Sequence, residues 1–166
     1  MTAVSSSHAG DTTMSRSLLN GGVAGLIGGM AMAMTSMLVA ISEDGFWAPV
    51  RGITSVVFGD SHYGGGFAFG PVVVGAMAHM MNSVVLGALF AVIAGLVLAR
   101  GGTLALAVLG MVYGLVVWLV MVPGVSSALQ SSDLFADSIP TWAWVVSHLM
   151  FGVITGLVYA RLRPVS

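Results

Sequence analysis

The sequence predicts an all-α polytopic membrane protein: four transmembrane helices in one up-down bundle, with both termini in the cytoplasm. Three observations lead there. Of 166 residues, 57% are hydrophobic and 7% are charged, whereas a soluble domain carries about 25% charged residues. Mean hydropathy is +1.01, so the chain lacks the polar surface a water-facing fold requires. Four apolar runs each reach the roughly 20 residues that a helix needs to cross a bilayer.

The elements follow in order. Residues 1–15 (MTAVSSSHAGDTTMS) are polar and read as a flexible tail, without the basic stretch of a cleavable signal peptide. Residues 16–166 then form a single transmembrane domain with spans at about 18–41, 71–99, 103–122 and 139–162. Pro71 and Pro140 fall near helix starts, where a missing N–H costs little. Pro123 is expected to close the third span, and Arg100-Gly101-Gly102 to make a tight turn between the second and third. In the long connection 42–70, Pro49–Phe58 suggests a short interfacial helix anchored by Phe46 and Trp47. Arg16, Arg100, Arg161 and Arg163 gather on one side, and Arg51 lies on the other with Glu43, Asp44, Asp60, Asp133 and Asp137. The positive-inside rule places the four arginines in the cytoplasm.

Composition also excludes functions. There is no cysteine, so disulfides, thiolate nucleophiles and iron–sulfur clusters are ruled out. Net charge is −1 without a basic patch, which argues against nucleic acid as a partner. The 23 Gly and 12 Met suit closely packed membrane helices. The expected partners are the lipid bilayer and other membrane protein subunits.

Two patterns repeat. Spans one and three carry glycine faces, Gly21/Gly25/Gly29 and Gly110/Gly114. Spans two and four carry a histidine followed at four-residue steps by small residues: His79/Ser83/Gly87 and His148/Gly152/Gly156. Residues four apart share a helical face, so these glycines and Ser83 are candidates for helix packing. The chain reads as two helical hairpins in tandem, a parallel repeat. Each histidine lies eight residues after a proline, Pro71 or Pro140, hence about 12 Å below its helix start at ~1.5 Å per residue. In a simple ring, spans two and four are diagonal, and the two rings would face each other across the centre.

An ionisable residue inside a membrane helix is a functional-site hypothesis by default. One reading makes His79 and His148 the axial ligands of a b-type haem, the only metal they would hold, with Gly75, Gly87, Gly152 and Gly156 making room for the macrocycle and Arg51 or Tyr63 meeting the propionates. The other has each histidine hydrogen-bonding across helices to Asn82, Ser83, Ser147, Thr155 or Thr35. A bare metal ion would be under-coordinated by two histidines, and a proton relay would lack intramembrane carboxylates. Met80, Met81 and Met150 flank the histidines and raise a copper(I) site as a lesser option. The cluster Met30, Met32, Met34, Met37 alternates between faces and reads as packing. Asp60-Ser61-His62 holds the elements of a catalytic triad by composition alone, and no catalytic residue is assigned.

Several segments together, APVRGI in the first loop, YGLVVWLVMVPG in span three and SHLMFGVITGLVYARL at the end, resemble the YagU-like group of small four-span bacterial inner-membrane proteins. The resemblance covers most of residues 18–163. It implies the fold and a bacterial inner membrane, with His79 and His148 at recurring histidine positions of no assigned role. The chain departs from that pattern in its GDSHYGGGFAFG loop and polar N-terminal tail. The function expected is an accessory or structural subunit of a larger membrane complex, of a respiratory or electron-transfer kind. The alternatives are a haem b electron-transfer subunit and a small transporter or channel.

Overall fold

The computed structural model describes residues 4–129 and 132–163, with the backbone alone for 4–12. Helices and turns account for all regular structure among these residues. The order is α1 (Val4–Ala40), α2 (Ala48–Phe58), a 3-10 turn at Asp60–His62, α3 (Phe69–Val97), α4 (Thr103–Leu119), a π-helical stretch Val120–Ser126 that runs on into α5 (Ser127–Leu129), α6 (Leu134–Asp137) and α7 (Thr141–Leu162). Four helices are long and apolar enough to cross a membrane: Thr13–Ala40, Phe69–Val97, Thr103–Leu129 and Thr141–Leu162. Their outward positions are apolar, as at Leu19, Val85, Leu96 and Leu104, which suits lipid rather than water. The helix that carries the first span begins at Val4, within the stretch expected as a tail.

The third long helix corrects the sequence reading. Pro123 does not close it; the helix continues to Leu129. In an α-helix, proline removes one backbone donor and its ring presses on the carbonyl four residues back. A widened π turn around Pro123 relieves that clash. Two serines then occupy carbonyls nearby: Ser126 Oγ donates to the Val122 carbonyl and Ser127 Oγ to the Pro123 carbonyl, the latter at 2.7 Å.

Packing is set by glycine. α1 lies on α3 so closely that a Cβ on Gly25 would stand 2.2 Å from the Ser83 carbonyl oxygen, and one on Gly21 would stand 2.5 Å from that of Gly87. α4 lies on α7 in the same way: a Cβ on Gly152 would meet the Gly110 carbonyl at 1.9 Å, and one on Gly114 the His148 carbonyl at 2.2 Å. Gly156 packs on the Leu106 carbonyl, and Gly29 on the Ser83 side chain. The third broad contact is between α1 and α7, where Gly28 faces Phe151 and Thr155. α3 meets α4 and α7 only narrowly. Tyr113 of α4 crosses the gap to α3, its hydroxyl donating to the Leu86 carbonyl at 2.8 Å and its ring 5.5 Å from Phe90. With Phe151 and Tyr159 these rings form the larger core cluster.

The two ends of the molecule differ. At one end, Ser17 and Tyr159 share a hydrogen bond of 2.7 Å, Asn20 donates to the Leu162 carbonyl, and Arg163 donates to Ala99 and Gly101 in the α3–α4 turn. Arg16, Arg100 and Arg161 are exposed there. At the other end, Arg51 of α2 donates to the carbonyls of His62, Tyr63 and Gly66 at 2.9, 2.9 and 3.0 Å, and the Tyr63 hydroxyl bonds Asp44. Burial, then the Asp44 carboxylate, raises the Tyr63 hydroxyl above its ordinary pKa. α2 is seated on the start of α3, where Gly75 packs against the Val50 carbonyl and Thr54 Oγ1 donates to Pro71 O at 2.7 Å. It also packs on α6, with Gly52 against Phe135. Half of α2 is buried against protein, so it is more than an interfacial helix lying in the headgroups.

Two predictions follow from this packing. Gly25→Leu and Gly152→Leu should each lower stability by about 1–3 kcal/mol or more through overpacking, read as the melting temperature in detergent. Gly95→Ala, where a Cβ meets open space, should leave it unchanged or slightly raised. Arg51→Lys should loosen the 59–66 loop almost as much as Arg51→Ala, because an ammonium cannot supply the planar fork; limited proteolysis of the loop would show it.

Candidate functional site

A cleft of about 390 Å³ lies where α3 and α4 fail to close on each other. Its walls come from every part of the chain: Met32 and Ser36 of α1, Val50 and Ile53 of α2, His79, Asn82, Ser83 and Leu86 of α3, Val117 of α4, Met121, Val122 and Ser126 of the π stretch, Phe135 of α6, and Trp144, His148 and Phe151 of α7. Most of this surface is aliphatic or aromatic. The Tyr113–Phe90 cluster fills the space between the helices toward the arginine end; the cleft occupies the half nearer α2 and α6.

Both intramembrane histidines line it. Each is tied through one ring nitrogen, and in both cases the partner is a backbone carbonyl rather than the polar side chains expected. His79 Nε2 donates to the Gly29 carbonyl at 3.0 Å, which joins α3 to α1. Ser83 Oγ donates back to the His79 carbonyl at 2.8 Å. His148 Nδ1 donates to the Trp144 carbonyl at 2.8 Å, one turn back in its own helix. A carbonyl can only accept, so the tautomer at both rings is fixed by geometry. His148 is 2% exposed, and the Trp144 indole packs 5.9 Å from it. Trp144 is itself held by Nε1 donating to the Ala136 carbonyl at 2.8 Å.

The residues as placed do not fit a bis-histidine haem. Space for the macrocycle was expected at Gly75, Gly87, Gly152 and Gly156, and all four are filled by backbone. Their Cβ positions lie 2.0 to 2.3 Å from the Val50, Gly21 and Leu106 carbonyls, or 1.9 Å from that of Gly110. The outer ring nitrogen of His79 is committed to Gly29. Arg51 holds three loop carbonyls through Nε, Nη1 and Nη2, and the Tyr63 hydroxyl donates to Asp44, so both are engaged within the loop. Among the described residues no group of three or more His, Asp or Glu is placed to hold a metal ion.

The remaining candidates separate. Gly21, Gly25, Gly29, Ser83, Gly87, Gly110, Gly114, Gly152 and Gly156 all stand at helix crossings. Met81 points outward at 69% exposure, and Met150 accepts from Thr35 Oγ1 at 3.4 Å, so these two flanking methionines do not join the histidines in a site. Asp60-Ser61-His62 is a 3-10 turn whose His62 carbonyl takes Arg51. Sequence reasoning missed Gly28 at the α1–α7 crossing, and Ser36, Trp144 and Phe151 in the cleft wall. Trp144, four residues before His148 and so on its face, carried the one available signal.

The two histidines should differ under mutation. His79→Phe removes a bond between helices and is expected to cost about 1 kcal/mol. His148→Phe removes a bond within one helix and should cost less. Reversible unfolding in mixed micelles would measure both. No protein-family model, no curated protein and no solved structure matches this chain.

Proposed function

We propose that the chain is a binding subunit of the bacterial inner membrane whose cleft holds a small, mostly apolar molecule. In this reading the four long helices form an up-and-down bundle with both termini in the cytoplasm. The gathering of Arg16, Arg100, Arg161 and Arg163 away from Arg51 supports that orientation. One observation carries the binding role: histidines from the two halves of the chain line a single, largely apolar cleft of about 390 Å³. Small-molecule sites run from about 300 to 1,000 Å³, mostly apolar with a few placed polar groups. Among the described residues no Asp, Glu, Lys or Arg lines this one, which suits the binding of an uncharged molecule. That agrees with an accessory, non-catalytic part in a larger membrane assembly.

Two measurements test this. The protein purified in mild detergent should carry an apolar small molecule, detected by mass spectrometry of its organic extract at near-equal molar amount. Ala33→Phe, which fills the cleft wall, should strip it; recovery of nothing from either protein, or the same molecule from both, would sink the proposal. The orientation is checked by labelling, since the chain has no native cysteine. In intact cells Ser61→Cys should react with a membrane-impermeant maleimide once the outer membrane is opened, and Gly102→Cys only after the inner membrane is broken.

A further inference from the structure

The chemistry of the cleft wall narrows the occupant. The donors that line the cleft are nearly all spent within the protein. Ser36 Oγ donates to the Met32 carbonyl at 3.1 Å, Ser83 Oγ to His79, Ser126 Oγ to Val122, Trp144 Nε1 to Ala136 and His79 Nε2 to Gly29. Asn82 lines the exposed rim of the cleft, where among the described residues nothing bonds its amide. What remains inside is an acceptor. With Nδ1 donating to Trp144, the neutral His148 ring presents a lone pair at Nε2, its outer tip, and among the described residues nothing bonds that nitrogen. A head group that brings its own hydrogen satisfies it. A second acceptor, such as an ether or ester oxygen, would leave two lone pairs facing each other in an apolar site. Among the described residues no Lys or Arg lines the cleft to neutralise a carboxylate or phosphate, and no carboxylate lines it to pair an amine.

We infer that the cleft selects an amphiphile with an un-ionised hydroxyl head, donated to His148 Nε2, whose apolar body lies between α3 and α4 and enters from the bilayer. This rests on the cleft-binding reading above. α3 and α4 meet only narrowly, and the side chains flanking their gap are apolar, including Leu86, Met121 and Val125. An apolar molecule dissolved in lipid therefore reaches the site without passing through water.

The test uses the full chain in lipid nanodiscs with three probes built on an unbranched ten-carbon chain: 1-decanol, its methyl ether and decanoic acid. Binding is measured as retention over empty nanodiscs. Decanol should bind roughly 3- to 10-fold more tightly than the ether, the worth of one hydrogen bond, and more tightly than the acid at neutral pH. His148→Phe should erase that preference while keeping affinity for the apolar body. Independently of any variant, the Nε2 resonance of ¹⁵N-labelled His148 should shift on adding decanol and not on adding the ether. Equal binding of all three probes, all lost in Ala33→Phe, would overturn the hydroxyl selection and leave the cleft-binding reading standing. Retention no greater than in empty nanodiscs for every probe would overturn both.

Discussion

In a bilayer, helices gain little by hiding apolar surface from one another, because lipid is as apolar as leucine. What draws two spans together is close approach, and close approach requires that a Cβ be absent at the crossing. The Gly25–Ser83–Gly87 and Gly110–Gly114–Gly152 contacts meet that requirement, with backbone on one helix occupying the place a side chain would take on the other. Everything else depends on these two crossings. They make α1–α3 and α4–α7 into firm pairs, Gly28 joins the pairs through α1 and α7, and the side left over is the cleft between α3 and α4. The cleft is thus a consequence of where the small residues are.

The histidines sit at the boundary between those two regimes. Each is four residues ahead of a small residue buried in a crossing, so its backbone belongs to the tight interface while its side chain reaches the cavity edge. The carbonyls of Gly29 and Trp144 hold the rings in place. Burying a polar group is costly unless it is hydrogen-bonded, and using a backbone carbonyl leaves the second nitrogen uncommitted. At His148 that nitrogen is the outer tip of the ring.

The spans were legible because lipid imposes a length and a composition that few other environments demand. The crossings were legible because glycine at four-residue steps has few other uses in a membrane helix. Other features lay beyond sequence. Pro123 is a stop by local rule, but two serines and a widened turn let the helix pass it. The partners of His79 and His148 are carbonyls, which every residue has, so no side-chain pattern could reveal them. Whether glycines leave room for a cofactor or for another helix depends on rotation and depth, which a single sequence does not encode; here helix backbone takes that room. Arg51 was visible as the one arginine of the 42–70 connection, while its three carbonyl partners required the fold.

The open side of the bundle, between α3 and α4, is bridged at three levels, at one end through α2 and α6. Arg163 clasps the turn at one end, Tyr113 ties α4 to Leu86 at mid-depth, and Gly52 meets Phe135 at the other. A book bound along its spine and clipped along its fore-edge cannot open by swinging its covers; its pages must bow. Widening the cleft therefore means flexing one helix beyond Tyr113 rather than displacing a rigid rod. On the α4 side that stretch holds Pro123 and its π turn, where proline removes one donor from the backbone ladder. The proline that does not end the helix sits in the stretch that would have to bend.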